Sequence, residues 1–487
     1  MLLEKLIDNV KIKEKLYFDN VEISSLEIDS RACTCGSLYF AISGTQVDGH
    51  DFALQAVKNG AKAIVCEREV PASVPQIIVE DTRSAMSLIA ANFYLYPAKK
   101  LKMVGITGTN GKTSISYMLS AIAKKAKISC GVIGTSGISV DNKKLDIKIL
   151  TSTTPDPIQL QQALAQMVEM GAKWCVMEVT AHALDLRKTV GISFASAGFT
   201  NLTQDHLDYF GTMENYAAAK AKLFEKEKSE FASINIDDEF GSFLNKSASC
   251  KQNTYSLKNP KADFFADNIQ IYSNFSKFTL SFNGELYPVT VNMTGLFNIS
   301  NALCAISMAN TLGVDIKTCI SGIEEFASVP GRFESVDTRE SGISVIIDYA
   351  HSPDGVENVL KAINCFKKGK LTCVFGCGGN RDSAKRPIMG KIAGELAEYC
   401  VLTSDNPRFE EPDAIIDEIE AGIAQTKCPY VRKTDRREAI KYALINAKKD
   451  DVIAILGKGD EDYQEINGEK HHFSDRETVE EILEEIL

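Results

Sequence analysis

The segment VGITGTNGKTSISYML (Val104 to Leu119) sets a lysine, a threonine and a serine directly after a glycine-bounded turn. An apolar run precedes the turn and a helical pattern follows it. Such a turn aims successive backbone N–H groups at one point, where the helix N-terminus adds partial positive charge. Lys112 can reach the terminal phosphates of a nucleotide, and the Thr113 hydroxyl can hold a Mg2+ ion that bridges them. Gly108, Thr109, Asn110, Gly111, Lys112, Thr113 and Ser114 are therefore expected to bind ATP or GTP. The spacing departs from the general G-x-x-x-x-G-K-[ST] pattern, because Ile106 stands where the first glycine would.

Two further groups could complete such chemistry. Glu178 closes the apolar run Trp174 to Glu178, and an acid at the C-terminal end of a parallel strand beside a phosphate loop is placed to bind Mg2+. The alternative is a strand-end acid that caps a helix. His206 lies in FTNLTQDHLDYFGTMENYAAAKAKLF (Phe199 to Phe224), and on spacing alone a structural histidine is as good a reading. Lys220 in the same segment reads, by itself, as a solvated helix lysine.

The elements that must carry these residues follow from the apolar pattern. Short strands at Leu38 to Ala41, Ala63 to Val65 and Gln76 to Val79, with helices around Ala53 to Asn59 and Ala85 to Tyr94, predict a small α/β domain over residues 1–97. Pro97 to Lys100 form the connection into the strand Leu101 to Ile106. Residues 98–328 read as a central, P-loop ATPase-like domain with a parallel sheet. Its elements include Ile128 to Gly131, a helix from Ile158 to Met170, and Trp174 to Glu178. The runs Phe264 to Tyr272, Lys277 to Phe282 and Leu286 to Val291 alternate as an antiparallel appendage. Pro330-Gly331 is expected to break the preceding helix. Residues 329–487 then read as a Rossmann-like α/β domain with strands Ser344 to Ile347, Leu371 to Phe375, Cys400 to Leu402 and Val452 to Leu456.

Composition bounds the rest. A chain of 487 residues accommodates about three domains, each large enough for its own core. No apolar run approaches the roughly 18 residues that would span a bilayer, and the N-terminus lacks a signal-peptide pattern. A cytoplasmic protein with no membrane insertion is expected. The 13 cysteines lack metal-finger spacing and read as reduced thiols. A net charge of −11 argues against a nucleic-acid surface without forbidding an anionic substrate in a locally basic cleft.

GTNGKT, MEVTAHAL, FTNLTQDHLDYFGTMENYAAAKAKLF, FNISNALCAI, GRFE and IIDYAHSPDGV, in this order, resemble the Mur ligases, ATP-dependent enzymes that build the peptide of bacterial peptidoglycan. The likeness runs over nearly the whole chain. IDSR, GTQVDGH, TSTTPDP, CGGNRDSAKRP, SDNPR, GKGDEDYQ and FSDRE are similar to the member that adds the third residue of that peptide. The resemblance implies ligation of meso-diaminopimelate to the γ-carboxylate of D-glutamate in UDP-N-acetylmuramoyl-L-alanyl-D-glutamate, through an acyl phosphate, by a monomer acting on small molecules. It implies ATP contacts from Asn298, Asn301, Arg332 and Asp348, with Tyr349 and His351 nearby. Thr113, Glu178, His206 and Lys220 are implied for Mg2+, with Lys220 carrying CO2 as a carbamate and Lys112, His206 and Lys220 as catalytic groups.

For the UDP-substrate the implied residues are Ile28, Ser30, Thr45, Gln46, Val47, Ser152, Thr153, Thr154, Thr180 and Lys188. For the amino acid they are Arg381, Asp405, Asn406, Pro407, Arg408, Gly457 and Glu461. Arg408 is the expected selector. Meso-diaminopimelate differs from lysine by one carboxylate that a guanidinium can grip bidentately, and an arginine left unpaired by lysine would cost roughly 2–5 kcal/mol. The chain departs from the family pattern at Thr180-Ala181, at Lys188 (with Arg187 beside it) and at Asp460. Rival readings are a lysine-adding ligase, a folylpolyglutamate synthetase and a P-loop kinase. A dinucleotide oxidoreductase, suggested by Gly376-Cys377-Gly378-Gly379, fails because Arg381 stands where its fingerprint needs a glycine.

Overall fold

The three strands Ser37–Phe40, Ala61–Cys66 and Gln76–Val79 near the N-terminus are short and almost wholly buried, and alternation along each decides what covers its two faces. The computed structural model describes residues 1–44, 47–147, 153–272, 274–338 and 342–486. Contacts divide the chain into two units: Met1–Thr107 with Lys127–Ala197 and Ala219–Phe231, and Gly108–Ala126 with Gly198–Ala218 and Ala232–Leu487.

In the first unit the five-stranded sheet runs in the order Ile12–Leu16, Gln76–Val79, Ala61–Cys66, Ser37–Phe40, Ser25–Glu27. All neighbours are parallel except the first pair. Leu38, Phe40, Ala63, Val65, Ile77 and Val79 point to one core, shared with Leu3, Leu6 and the helix Thr82–Phe93. Tyr39, Ile64, Cys66 and Ile78 point to the other. A parallel sheet covered on both faces needs this near-continuous apolar run. Ile12–Leu16 and Ser25–Glu27 were not legible as strands. They are the short, partly charged edges of the sheet, where polar side chains face water and discourage further pairing.

The same unit holds Trp174–Glu178 between Lys102–Thr107 and Cys130–Gly134, parallel to both, which brings Glu178 level with Ile106. The helix Pro157–Glu169 follows the expected span.

The second unit opens at the turn Gly108–Gly111. Its first helix, Lys112–Lys125, buries Ile115, Met118, Leu119 and Ile122 and packs on the helices Leu296–Thr311 and Ile316–Glu325. The expected appendage is present: Ser276–Phe282 pairs antiparallel with both Phe264–Ile271 and Glu285–Val291. A six-stranded sheet follows, in the order Glu334–Val336, Ser344–Asp348, Val452–Leu456, Leu371–Phe375, Tyr399–Leu402, Tyr430–Arg432. Its last five strands are parallel. Cys373, Phe375, Cys400, Leu402, Ala454 and Leu456 face one core, and Val374, Val401, Ile453 and Ile455 the other. One expectation needs correction: the helix before Pro330 ends at Glu325, and Pro330-Gly331 instead occupy a tight turn closed by the Arg332 N–H on the Val329 carbonyl (3.1 Å). Among the described residues no helix is long and apolar enough to cross a membrane.

Candidate functional site

The loop Gly108–Gly111 of the second unit is shaped by two glycines that could not be replaced. Gly108 has φ +146°, and a Cβ there would lie 1.8 Å from the Thr200 Oγ1; Gly111 has φ +90°, and its Cβ would lie 2.5 Å from the Asn301 Oδ1. The loop is braced from behind. The Thr109 N–H donates to the Asn201 carbonyl (2.9 Å), the Asn110 N–H to the Asn201 Oδ1 (2.9 Å), and the Thr200 hydroxyl to the Asn110 carbonyl (2.6 Å). The Asn110 amide donates to Asp354 (2.7 Å). Lys112 folds back, its ammonium donating to the carbonyls of Gly108 (3.0 Å) and Thr109 (2.8 Å). A phosphate arriving here meets a cation already aimed at the loop.

Asn298 and Asn301, three apart on the helix Leu296–Thr311, share a face, and both are buried. The Asn298 Nδ2 donates to the Thr294 carbonyl (2.9 Å), whereas its Oδ1 is buried without a hydrogen-bond partner among the described residues. An acceptor left in this state is prepared for a ligand donor. The Arg332 guanidinium donates to the Thr113 Oγ1 (3.3 Å) and lies 4.2 Å from the Tyr349 ring centroid. Asp348, at the end of its strand, accepts the Phe333 (2.6 Å) and Ala350 (2.7 Å) N–H groups. Burial pushes its carboxyl up, against the pull of Arg332 and those two donors. The His351 Nδ1–H donates to the Tyr349 carbonyl (2.8 Å), and burial, with Lys385 nearby, lowers the His351 pKa to about 4.

His206 adopts φ +55° at the start of a short helix, and its Nε2 lies 3.4 Å from the Asp205 carboxylate. Lys385 approaches the same carboxylate at 3.8 Å. Burial alone would raise the Asp205 carboxyl, but the charges of His206, Lys385 and His351 outweigh it and hold the pKa at about 2. The acid is thus an anion that steadies His206 and Lys385 together.

The residues expected to take the amino acid form a second network in this unit. The Asn406 Nδ2 donates to the Glu461 carboxylate (2.8 Å), and the Asn406 Oδ1 accepts the Glu465 N–H (2.9 Å) and the Lys458 ammonium (3.3 Å). Asp405 is buried, and a Cβ on Gly457 would lie 2.4 Å from its Oδ2. Pro407 is buried and Arg381 exposed. Arg408 does not wait unpaired. Its Nε donates to Glu465 (3.1 Å) and its Nη1 to the Gly379 carbonyl (2.8 Å), with 18% of the side chain exposed. This overturns the expectation that lysine would leave Arg408 without a partner. Behind the network the fully buried Arg436 makes two 2.7 Å bonds to Asp475 and donates to the carbonyls of Leu456 (3.0 Å) and Ser404 (3.4 Å), so it ties together the roots of both loops.

The two networks meet. A Cβ on Gly331 would lie 2.1 Å from the Asp460 N, one on Gly459 would lie 2.8 Å from the Tyr349 Cβ, and the Gly457 N–H donates to the Asp348 carbonyl (3.0 Å). Arg332, which touches Thr113, therefore sits in a segment packed against the loop that carries Lys458 and Glu461.

In the first unit, Glu178 is 1% exposed, and its carboxylate accepts only neutral donors, the Thr135 N–H (3.1 Å) and hydroxyl (3.1 Å). No cation pairs with it among the described residues. The Thr154 hydroxyl donates to the Glu178 carbonyl (2.8 Å) and accepts the Thr180 N–H (3.2 Å). Thr180 caps the helix Ala181–Asp185, and Thr153 bonds the Thr135 hydroxyl (3.1 Å). Lys188 is buried against Asp156 (2.9 Å) and the Thr154 carbonyl (3.2 Å); Arg187 is turned out to Asp81 (2.9 Å). Thr153, Thr154, Thr180, Lys188 and Glu178 thus form one cluster. Lys220, on the helix Met213–Ala221, is 1% exposed, which replaces the bare-sequence reading of a solvated lysine. Ser30 is buried, Ile28 packs on the N-terminal core, and Val47 is exposed. Thr45, Gln46 and Ser152 lie outside the described residues.

Sequence reasoning missed Asn201, Asp354, Lys385, Lys458, Glu465 and the Arg436–Asp475 pair. Asn201, Asp354, Lys385, Lys458 and Asp475 stand inside the motifs given above, but nothing in their spacing says what they touch. Glu465 carries no local signal. Among the described residues no group of three His, Cys, Asp or Glu side chains could hold a metal ion.

Three family models cover the chain: "Mur ligase family, catalytic domain" over residues 22–94, "Mur ligase middle domain" over 106–309 and "Mur ligase, glutamate ligase domain" over 331–459. The chain is 44% identical over 468 residues to the UDP-N-acetylmuramoyl-L-alanyl-D-glutamate--2,6-diaminopimelate ligase of Caldanaerobacter subterraneus subsp. tengcongensis, covering 96% of each chain. It is 43% identical to the corresponding ligase 1 of Clostridium acetobutylicum, with 100% of each covered. A solved structure of a UDP-N-acetylmuramoyl-L-alanyl-D-glutamate--2,6-diaminopimelate ligase matches with TM-score 0.68 and 30% identity, over 100% of this chain and 99% of that one.

Proposed function

The chain belongs to the Mur ligase family, and from that premise we propose that it ligates meso-diaminopimelate to the γ-carboxylate of D-glutamate in UDP-N-acetylmuramoyl-L-alanyl-D-glutamate, using ATP. The observation that carries this reading is the junction in the second unit. There, Arg332 links the phosphate loop at Thr113 to the segment packed on the Asn406–Lys458–Glu461 network. A phosphoryl acceptor and an amine donor must meet in a ligase, and a kinase would have no use for the second network.

In the proposed sequence the γ-carboxylate attacks the terminal phosphoryl group of ATP, ADP leaves, and the resulting acyl phosphate is attacked by the amine. The tetrahedral adduct then expels phosphate and leaves the amide. Lys112 neutralises charge on the transferring phosphoryl oxygens, and the loop N–H groups orient them. Asn298, with its vacant acceptor, Asn301, Arg332 and Asp348 take the adenine and ribose. Ile28, Ser30, Thr45, Gln46, Val47, Ser152, Thr153, Thr154, Thr180 and Lys188 take the UDP-substrate. Arg381, Asp405 to Arg408, Gly457 and Glu461 take the amino acid.

Thr113, Glu178, His206 and Lys220 are the proposed Mg2+ ligands, and the ion would supply charge neutralisation for phosphoryl transfer. Glu178 fits this: a buried carboxylate without a cation is costly unless it binds one. Lys220 fits a carbamate in being a buried amine whose adduct with CO2 would be an anionic oxygen donor. The three family segments fall inside the proposed domains 1–97, 98–328 and 329–487. The protein is proposed to act in the cytoplasm, as a monomer.

One observation favours a second reading. Arg408 already holds a carboxylate, Glu465, and a ligase that adds lysine could keep that pair intact. The deciding experiment incubates the protein with ATP, the UDP-muramoyl dipeptide and each of a panel of amino acids, then weighs the products. A product heavier by a diaminopimelate residue supports the first reading, one heavier by lysine the second. Phosphate release without any amine acceptor would remove both.

A further inference from the structure

Lys458 lies on the loop after the strand Val452–Leu456, and its side chain is 0% exposed. Its ammonium has three donors, and three acceptors surround it: the Asn406 Oδ1 (3.3 Å), the Glu461 Oε2 (3.1 Å) and the Tyr463 carbonyl. An ammonium so occupied has no donor left for a ligand. What it does is fix the groups around it.

The Asn406 amide is the first of these. Its Oδ1 receives both Lys458 and the Glu465 N–H, so a flipped amide would set its NH2 against two donors. Its Nδ2 is thereby directed at the Glu461 Oε2 (2.8 Å). Glu461 is the second. Its Oε2 is held twice, by Lys458 and by Asn406, which leaves Oε1 as the oxygen able to accept a new donor. The Glu465 N–H that completes the Asn406 lock belongs to the residue whose carboxylate holds Arg408, so the same arrangement reaches the expected amino-acid selector.

We propose that Lys458 is a positioning residue for the amino-acid half of the reaction, holding Asn406 as a donor and presenting the Glu461 Oε1 as the acceptor for the incoming amine donor. This rests on the proposed ligase reading. Electrostatics work in the same direction. Burial and the neighbouring Asp405 raise the Glu461 carboxyl, while Lys458 and Asn406 pull it back. Tyr349, Tyr463 and Arg436 also face this group. Without Lys458 the carboxyl keeps its proton to higher pH and loses its value as an acceptor.

The test uses the full-length protein and three variants. Lys458→Met keeps the unbranched stem of the side chain and removes the ammonium and its charge. Its KM for diaminopimelate should rise about tenfold or more, as for loss of a charge-assisted hydrogen bond, with KM for ATP and for the UDP-substrate essentially unchanged. The acidic limb of its kcat/KM profile for diaminopimelate should move to higher pH, and Lys458→Arg should recover part of the loss. If Lys458→Met does not fold, Lys458→Met/Glu461→Gln removes both charges of the buried pair and leaves neither uncompensated. That double variant should show the raised amino-acid KM and no acidic limb from this group. An unchanged KM for diaminopimelate, or an equal rise for all three substrates with no shift of the limb, overturns the assignment. A wild-type protein with no diaminopimelate activity overturns the ligase reading beneath it, so the two failures are separable.

Discussion

Replacing Arg408 by alanine tests how the amino acid is chosen, and the geometry changes the size of the expected effect. If the guanidinium were buried and unpaired whenever lysine bound, discrimination would follow from the roughly 2–5 kcal/mol cost of a stranded charge. Instead, Glu465 at 3.1 Å and the Gly379 carbonyl at 2.8 Å satisfy it in the absence of any ligand. Lysine therefore strands nothing. What diaminopimelate gains is a charge-assisted hydrogen bond to the remaining donors of the guanidinium, worth about 1.5–3 kcal/mol. At 1.4 kcal/mol per decade this is about 10- to 150-fold. Arg408→Ala should lower kcat/KM for diaminopimelate by that factor. It also frees the Glu465 carboxylate, which would repel the distal carboxylate of diaminopimelate and attract the ammonium of lysine, so lysine use should hold or rise. Steady-state kcat/KM for both amino acids, in wild type, Arg408→Ala and Glu465→Gln, is the assay. The reasoning fails if Arg408→Ala lowers both amino acids equally, or if the wild type does not distinguish them.

The remaining expectations concern the other parts of the machinery. Lys112→Ala should reduce turnover by more than the roughly 10^2–10^3 lost with one preorganised donor, with little change in Tm; more than a tenth of wild-type activity would remove this loop from ATP chemistry. Lys220→Ala should be almost inactive and partly rescued by high acetate, which can supply the missing carboxylate oxygen; an active variant indifferent to acetate would exclude the carbamate. Asp475→Asn leaves Arg436 buried without its counter-charge, so it should destabilise the protein by about 3–5 kcal/mol in urea titrations, and a shift below 1 kcal/mol would show that the pair does not hold these loops.

By itself, the sequence determined whatever depends on neighbours along the chain. Gly-Thr-Asn-Gly-Lys-Thr between an apolar run and a helix specifies a strand–turn–helix with the layout of a phosphate loop, because backbone direction and helix polarity are local properties. Buried strands such as Gln76–Val79, Leu371–Phe375 and Val452–Leu456 announce themselves as continuous apolar runs, because both faces of a parallel sheet are covered. Edge strands such as Ile12–Leu16 do not, since most of their side chains face water.

The tertiary structure alone decided who meets whom. In the second unit the strand order sets Val452–Leu456 between Ser344–Asp348 and Leu371–Phe375, with Tyr399–Leu402 beyond. Loops leaving the same ends of parallel neighbours converge, so Tyr349, Gly378, Asn406 and Lys458 come together although tens of residues separate them. Partners far apart in the chain are brought together in the same way: Glu465 on Arg408, Lys458 on Asn406, Asn301 against Gly111 and Lys385 beside Asp205. No spacing rule announces them, because a hydrogen bond between distant loops is fixed by strand order and packing, and a linear pattern records neither.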